Sequence, residues 1–471
     1  MATETVEPSV GFRSERGPIL GALMLATALV ALDSTIIATA VITITSNLGG
    51  FNQFPWLFSI YLLAQAVTVP VYGKLADTVG RRPVILFGIA VFALGSLLCG
   101  LATSMIGLII FRAVQGIGAG AIQPMTMTIA GDLYTLSERA KVQGYLASVW
   151  AMSSVLGPLI GGVFSEYVSW RWIFLINLPL AALAAWMLLR SFTESAPRRR
   201  EQRIDYLGAG LLTVGAGALI LGLLEGGQAW EWASPTSIAI FIGGALMLAL
   251  FGFVERRAQN PILPLWVFTR RVIVASSLVS LLVGAILLGL TSYVPTFAQG
   301  VLGTGALVAG LTVGALTLGW PLAASQAGKV YLRVGFRSTA LIGSTLATLG
   351  AASALLIDEG STLIQIAASC FVIGIGMGLV ATPTLIAAQS SAEWSERGVV
   401  TSTNMFARSI GSAVGVAVFG AIVNSHIGDT DHPAPAALSS AVHLVFVAVA
   451  VMALVMVVAA AMMPSRGTNP A

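Results

Sequence analysis

The sequence predicts an all-α integral membrane protein, and three observations carry that prediction. Hydrophobic residues make up 56% of the 471 residues and charged residues 9%, where soluble chains average about half apolar and about a quarter charged. The apolar residues fall into runs long enough for a helix, at ~1.5 Å rise per residue, to cross a ~30 Å hydrocarbon core. Lys and Arg gather in alternate connections between those runs, the asymmetry that marks cytoplasmic loops.

Fourteen runs meet the length requirement: 18–43, 55–76, 83–103, 106–129, 141–164, 171–191, 206–225, 236–254, 272–296, 304–327, 338–357, 362–386, 396–423 and 439–463. The first is longer than a signal-peptide core, carries Asp33 and lacks a small-residue cleavage site, so it is expected to remain as a membrane helix. The seventh and eighth are short and separated only by Gly226 to Pro235, which leaves twelve or thirteen spans as alternatives. Charge placement narrows the choice. With both termini inside, the inner segments take Arg13, Arg16, Lys74, Arg81, Arg82, Arg139, Lys141, the stretch from Arg190 to Arg203, and the clusters around Arg256, Arg270, Lys329 and Arg397. The outer loops hold Arg171 and the acids Glu166, Glu225, Glu231, Asp358, Glu359, Asp429 and Asp431. Removing one span would invert half the molecule, so the count is even, and Asp205 to Glu255 fits two crossings. Arg198, Arg199, Arg200 and Arg203 have the composition of an anionic-lipid or nucleic-acid site, but a topology signal on a linker is the plainer reading. Cys99 and Cys370 lie inside apolar runs, so no disulfide framework is expected.

An internal repeat organises the spans. Gly116, Gly118 and Gly120 recur as Gly374, Gly376 and Gly378, Ser137-Glu138-Arg139 as Ser395-Glu396-Arg397, and Gly157 as Gly415, all at an offset of 258 residues. Gly73 to Gly80 recurs at Gly328 to Gly335 at an offset of 255, with Leu332 in place of Asp77. The expected organisation is a tail at 1–17, a six-helix bundle at 18–191, a linker with two additional helices at 192–257, a second six-helix bundle at 258–463 and a tail at 464–471.

The stretch Gly73-Lys-Leu-Ala-Asp-Thr-Val-Gly-Arg-Arg82 resembles the loop between the second and third helices of the major facilitator superfamily, roughly G-x-L-a-D-r-x-G-r-r/k. Gly73, Leu75, Ala76, Asp77, Gly80, Arg81 and Arg82 match it. Arg112, in Arg112-Ala-Val-Gln-Gly-Ile-Gly118, resembles the arginine of the superfamily's fourth-helix motif, and Gly157-Pro158-Leu-Ile-Gly161-Gly162 its antiport motif. Leu32-Asp33-Ser-Thr and Trp170 to Pro179 resemble signatures of the fourteen-span drug:proton antiporter branch. The resemblance covers nearly the whole chain. It implies the major facilitator fold, two six-helix bundles related by pseudo-twofold symmetry plus two inserted helices.

Asp33 stands mid-span, where a carboxylate costs roughly 3 kcal/mol or more and needs a cavity or a partner. There it can take up and release a proton during a transport cycle; a permanently paired structural ion is the other reading. Arg112, always protonated, is the other buried charge of the first half. By resemblance it is associated with proton coupling, and satisfying backbone carbonyls is its alternative role. In the antiport motif Pro158 removes a backbone hydrogen bond, while Gly157 and Gly161 let a neighbouring helix approach. Asp77 is expected to meet the N-terminus of the thirteenth span near Ser395 to Gly398, where helix N–H groups favour a carboxylate, with Glu396 and Arg397 as gate or bundle contacts of the second half. Gly80 permits a tight turn and Arg81 can pair with Asp132. Such a latch would hold the outward-open state. Arg408 is expected near the cytoplasmic side as a gate or bundle contact.

His426, His432 and His443 lack metal-ligand spacing, and no phosphate-binding loop occurs. No cofactor, direct ATP use or enzymatic activity is expected. The resemblance implies a proton-coupled exporter of amphipathic, often cationic drugs by alternating access, in the cell (inner or plasma) membrane with both termini cytoplasmic. Its partners would be protons, a small amphipathic or lipid-like substrate and the lipid bilayer, with no nucleic acid, and the chain a monomer. A lipid, siderophore or other endogenous metabolite as cargo, and a non-transporting sensor or scaffold, are the alternatives.

Overall fold

A computed structural model describes residues 10–37, 40–49, 53, 55–194, 205–227, 229–259, 261–427 and 434–465. The helices are α1 (Gly17–Ile36), α2 (Val41–Leu48), α3 (Pro55–Val79), α4 (Arg81–Gly100), α5 (Met105–Leu133), α6 (Leu136–Val163), α7 (Trp172–Leu175) and α8 (Asn177–Ser191). They continue as α9 (Tyr206–Glu225), α10 (Pro235–Glu255), α11 (Arg271–Gly300), α12 (Ala306–Val334), α13 (Phe336–Ala354), α14 (Leu363–Ser390), α15 (Arg397–Ile427) and α16 (Pro435–Ala461). Arg198 to Arg203, Asp429, Asp431, His432 and Arg466 lie outside the described residues.

Local signals start many of these helices. Ser104, Asp205 and Ser234 accept hydrogen bonds from the first-turn N–H groups of α5, α9 and α10. Thr135 with Glu138 and Thr362 with Gln365 form capping boxes on α6 and α14, satisfying N–H groups that have no intrahelical acceptor. Proline opens α1, α10 and α16, where its missing N–H costs nothing.

Thirteen helices among the described residues are long and apolar enough to cross a membrane. The predicted span 338–357 is the exception. It forms the 19-residue helix α13, but its sequence FRSTALIGSTLATLGAASA is rich in Ser, Thr, Gly and Ala, which lowers its hydropathy. Those small residues let it sit tightly against α14 and α16. The first run is also shorter as a helix than expected, since α1 ends at Ile36 and α2 begins at Val41.

Two large apolar cores form, one among α1, α3, α4, α5, α6 and α8, and one among α11 to α16. The repeat is a repeat of contacts. A Cβ added at Gly118 would lie 2.3 Å from the Phe92 nitrogen, and one at Gly376 2.4 Å from the Ala347 nitrogen. Gly120 presses on Gln65 and Thr68 as Gly378 presses on Trp320 and Ala323, and Gly116 on Tyr61 as Gly374 on Leu316. Each pair keeps the 258-residue offset for α5 and α14 and the 255-residue offset for their partners. The inserted pair α9 and α10 packs together, and α9 also touches α3 and α15, one helix from each half. The outer faces are apolar: Ile238, Ile242, Leu246, Leu250 and Phe253 on α10 are all exposed, as lipid-facing helices require.

Candidate functional site

Two polar constellations interrupt this interior. The first is wholly buried. Asp33 on α1 is 1% exposed and Arg112 on α5 also 1%, and Arg112 Nη1 lies 2.5 Å from Asp33 Oδ2. Gln115 Nε2 donates to Asp33 Oδ1 at 2.7 Å and to Ser96 Oγ at 2.8 Å. Asn177 Nδ2, from α8, donates to the same two oxygens at 3.1 and 3.3 Å. Arg112 also donates from Nη1 to Gln115 Oε1 at 2.8 Å and from Nε to the Leu57 carbonyl at 3.1 Å, and lies 4.1 Å from the centroid of the Tyr61 ring.

Helix geometry assembles this network. Arg112 and Gln115, three apart, share one face of α5. Gly95 lets α5 come so close that a Cβ there would lie 2.5 Å from the Gln115 nitrogen, which sets Gln115 beside Ser96. Asp33 therefore has one ion pair and two amide donors.

The second half lacks the network. At the repeat offsets Ser96, Arg112, Gln115 and Tyr61 correspond to Ala351, Cys370, Ile373 and Leu316, all buried in the second apolar core. Gly157 packs on Thr35 as Gly415 packs on Ala285, and the same register puts Val283 at the place of Asp33. The charged pair therefore has no counterpart at the corresponding places of the second half, where Ser353 and Ser369 share a neutral hydrogen bond at 2.8 Å.

The second constellation clasps the two halves at the arginine-rich face. Asp77, at the end of α3, accepts from the Gly398 and Val399 N–H groups at 2.9 and 2.8 Å, the helix N-terminus expected from the sequence. Arg81 pairs with Asp77 at 2.9 Å and with Asp132 at 3.1 Å, stacks on Trp394 with 3.6 Å to the ring centroid and donates to the Trp394 carbonyl. Asp132 also pairs with Arg397 at 3.0 Å. Gly73 lies against Ser402 with no room for a side chain. On the other side of the pseudo-twofold axis Gly328 meets Ala140. There the Tyr331 hydroxyl donates to the Leu136 carbonyl, and Arg139 Nη1 donates to Ser390 Oγ at 2.9 Å. Gln389 adds a hydrogen bond to the Met127 carbonyl at 3.3 Å. These contacts close the arginine-rich face.

The stretch 73–82 corrects one expectation. It is not a loop: α3 continues to Val79, α4 begins at Arg81, and Gly80 alone joins them at φ 111°. A glycine reaches that conformation without a Cβ clash, and Gly335, at φ 88°, does the same in the second half. Arg82 stays outside the clasp and donates to the Leu189 carbonyl at 2.6 Å. Glu396 pairs with Arg270 at 3.1 Å rather than across the halves. Arg408 is likewise absent from the clasp, about three turns farther along α15, with Trp320 as its ring partner at 5.6 Å.

In the antiport motif, Gly157 packs on Thr35 of α1, whose hydroxyl donates to the Ser153 carbonyl at 2.9 Å, and Gly162 faces open space. Gly161 is buried, and Pro158 lies within α6. Trp170 is buried at 2% exposure, while Trp172 is exposed. Among the described residues no cluster of His, Cys, Asp or Glu could hold a metal. The sequence reading missed Ser96, Gln115, Asn177 and Gln389, along with Glu194, which accepts from the Arg81 and Arg82 N–H groups at 2.8 and 3.3 Å and caps α4.

Comparison with known proteins places this geometry. The model of the Major Facilitator Superfamily matches residues 23–416. The chain is similar to "Multidrug resistance protein 3" of Bacillus subtilis (strain 168), 36% identical over 406 residues that cover 86% of this chain and 78% of that protein. It is similar to "Multidrug transporter protein MdtP" of the same organism, 34% identical over 421 residues, 89% of this chain and 77% of that protein. Among solved structures, the human organic anion transporter MFSD10 (TETRAN) shares the fold at a TM-score of 0.66 and 15% identity, covering 95% of this chain and 99% of that one.

Proposed function

The chain belongs to the Major Facilitator Superfamily, and from that premise we propose that it is a proton-driven exporter of small amphipathic compounds, working by alternating access. The observation that carries the proton coupling is the Asp33–Arg112 pair: a buried carboxylate at 2.5 Å from a permanent cation, in one half only, with every lone-pair direction toward Gln115 and Asn177 engaged. Protonation of Asp33 frees Arg112 and loosens the joint among α1, α4, α5 and α8. Deprotonation re-forms it.

In this reading the arginine-rich face is cytoplasmic, as are both termini, in the cell membrane. The Asp77 and Asp132 clasp then holds the outward-open state and must break before the inside can open. The relatives' printed names support drugs and other toxic compounds as cargo, with a lipid or endogenous metabolite as the alternative. The exporter works as a monomer without a bound cofactor.

The test is substrate-driven proton movement in proteoliposomes under an imposed pH gradient. The wild-type protein is expected to accumulate an amphipathic probe against its gradient. Asp33→Asn is expected to abolish the pH-driven component by at least tenfold while the protein remains folded and binds the probe. Unchanged coupling in Asp33→Asn would move the proton site elsewhere.

A further inference from the structure

The buried arginines of the first half are all engaged: Arg112 pairs with Asp33, Arg81 with Asp77 and Asp132, and Arg139, without an acid, donates to the Tyr134 carbonyl and to Ser390 Oγ. Arg408 differs. Among the described residues it forms no salt bridge, and its buried Nε has no hydrogen-bond partner. A permanent cation in the middle of a membrane protein without a counter-ion is costly unless something arrives to neutralise it.

Its surroundings are those of a binding wall. The guanidinium lies 5.6 Å from the centroid of the Trp320 ring. Yet α12 packs mainly on α14 and α6, and α15 on α11 and α3, so ring and cation meet in the space between helices. Both side chains remain partly exposed. Ser325, on α12 and against Gly144, and Ser402, on α15 and against Gly73, seal the contact between halves roughly one and a half turns closer to the arginine-rich face. Arg408 and Trp320 thus stand just above the closed floor, at the interface of the halves. At the repeat offsets the same two places in the first half hold Trp150 and Gln65, also partly exposed. The cation of the pair thus belongs to one half alone.

We infer that Arg408 and Trp320 form the anion-recognising subsite of the transport cavity, and that the cargo is an amphipathic organic anion with a flat ring beside a carboxylate, sulfonate or phosphate. The guanidinium fork matches such a group in planar, bidentate fashion. The Trp320 indole offers a face for the ring, and the anion neutralises the cation that Trp320 alone only partly stabilises. The inference rests on the export reading for the cavity's purpose, and it reverses the cationic preference expected from sequence resemblance.

The test uses matched probes, naphthalene-2-sulfonate and 2-naphthyltrimethylammonium, binding to the purified full-length protein by equilibrium dialysis, with transport in proteoliposomes measured separately. The wild type is expected to bind the sulfonate at least tenfold more tightly than the ammonium. Arg408→Gln is expected to lose at least tenfold in sulfonate affinity and to gain ammonium affinity, while Arg408→Lys retains part of the sulfonate preference. A wild type that binds neither probe or prefers the ammonium overturns the subsite, as does an Arg408→Gln variant whose sulfonate binding is unchanged or which loses both probes equally at unaltered melting temperature. Sulfonate binding that depends on Arg408 without any proton-driven transport would instead sink the export reading and leave the subsite standing.

Discussion

At the scale of single residues, the Asp33–Arg112 pair concentrates both cost and consequence. Removing one partner of a buried pair leaves an uncompensated charge, at roughly 3–5 kcal/mol, whereas removing both can be close to neutral. Arg112→Gln and Asp33→Asn are each expected to melt well below the wild type, with Asp33→Asn still folded at 25 °C, and the double variant to recover much of the loss. Thermal unfolding of the four proteins in one detergent checks this double-mutant cycle. The two charges were legible in the sequence because ionisable residues at bilayer depth are rare. Ser96, Gln115 and Asn177 were not, although the last two stand inside recognised motifs, because neutral hydrogen-bonding side chains are ordinary in membrane helices and only packing reveals which of them converge. Arg408 was visible as a charge in an apolar run, whereas its ring partner Trp320 and its unpartnered Nε emerge only from packing.

At the scale of helices, the apolar ruler found each span but stopped short at the arginine-rich face. There α3, α5, α12 and α14 run on to Val79, Leu133, Val334 and Ser390. Backbone hydrogen bonding continues past the point where hydropathy falls, which is how Asp77 and Asp132 come to sit on helix ends rather than in loops. Gly80 and Glu194 fix the junction. Gly80→Ala would place a Cβ 2.5 Å from Glu194 Oε2 in a left-handed conformation, at about 1–2 kcal/mol. Glu194→Ala would free two N–H groups of α4, for about 1 kcal/mol. Both variants are expected to unfold at lower temperature, and hydrogen exchange at the start of α4 is expected to accelerate in each. The inserted pair was legible as two crossings. That α9 seats against both α3 and α15 was not, because no motif marks a bridging helix.

At the scale of the whole molecule, the glycine repeat made the two-halved plan readable before any contact was known. The same offsets then describe which backbones touch. What a one-dimensional repeat does not disclose is which copy keeps a function. Leu332 opposite Asp77 hinted at asymmetry across the clasp, but the apolar replacements of the Asp33 network became evident only when the register of contacts was in hand. Breaking the clasp should open the arginine-rich face. In Asp77→Ala, a cysteine replacing the buried Ser402 is expected to react with a membrane-impermeant thiol reagent at least tenfold faster than the same cysteine beside an intact Asp77. Equal rates would show that Asp77 does not hold the halves together.

The clasp has an electrical consequence as well. Its ion-paired members are two acids, Asp77 and Asp132, and two arginines, Arg81 and Arg397, so with both acids ionised they carry no net charge together. Voltage does work of ~2.3 kcal/mol per elementary charge per 100 mV on a charge carried through the field, and a neutral set gives it almost nothing to act on. The rate at which this face opens should therefore be nearly independent of membrane potential, and any voltage dependence of turnover would report the movement of protons and cargo alone.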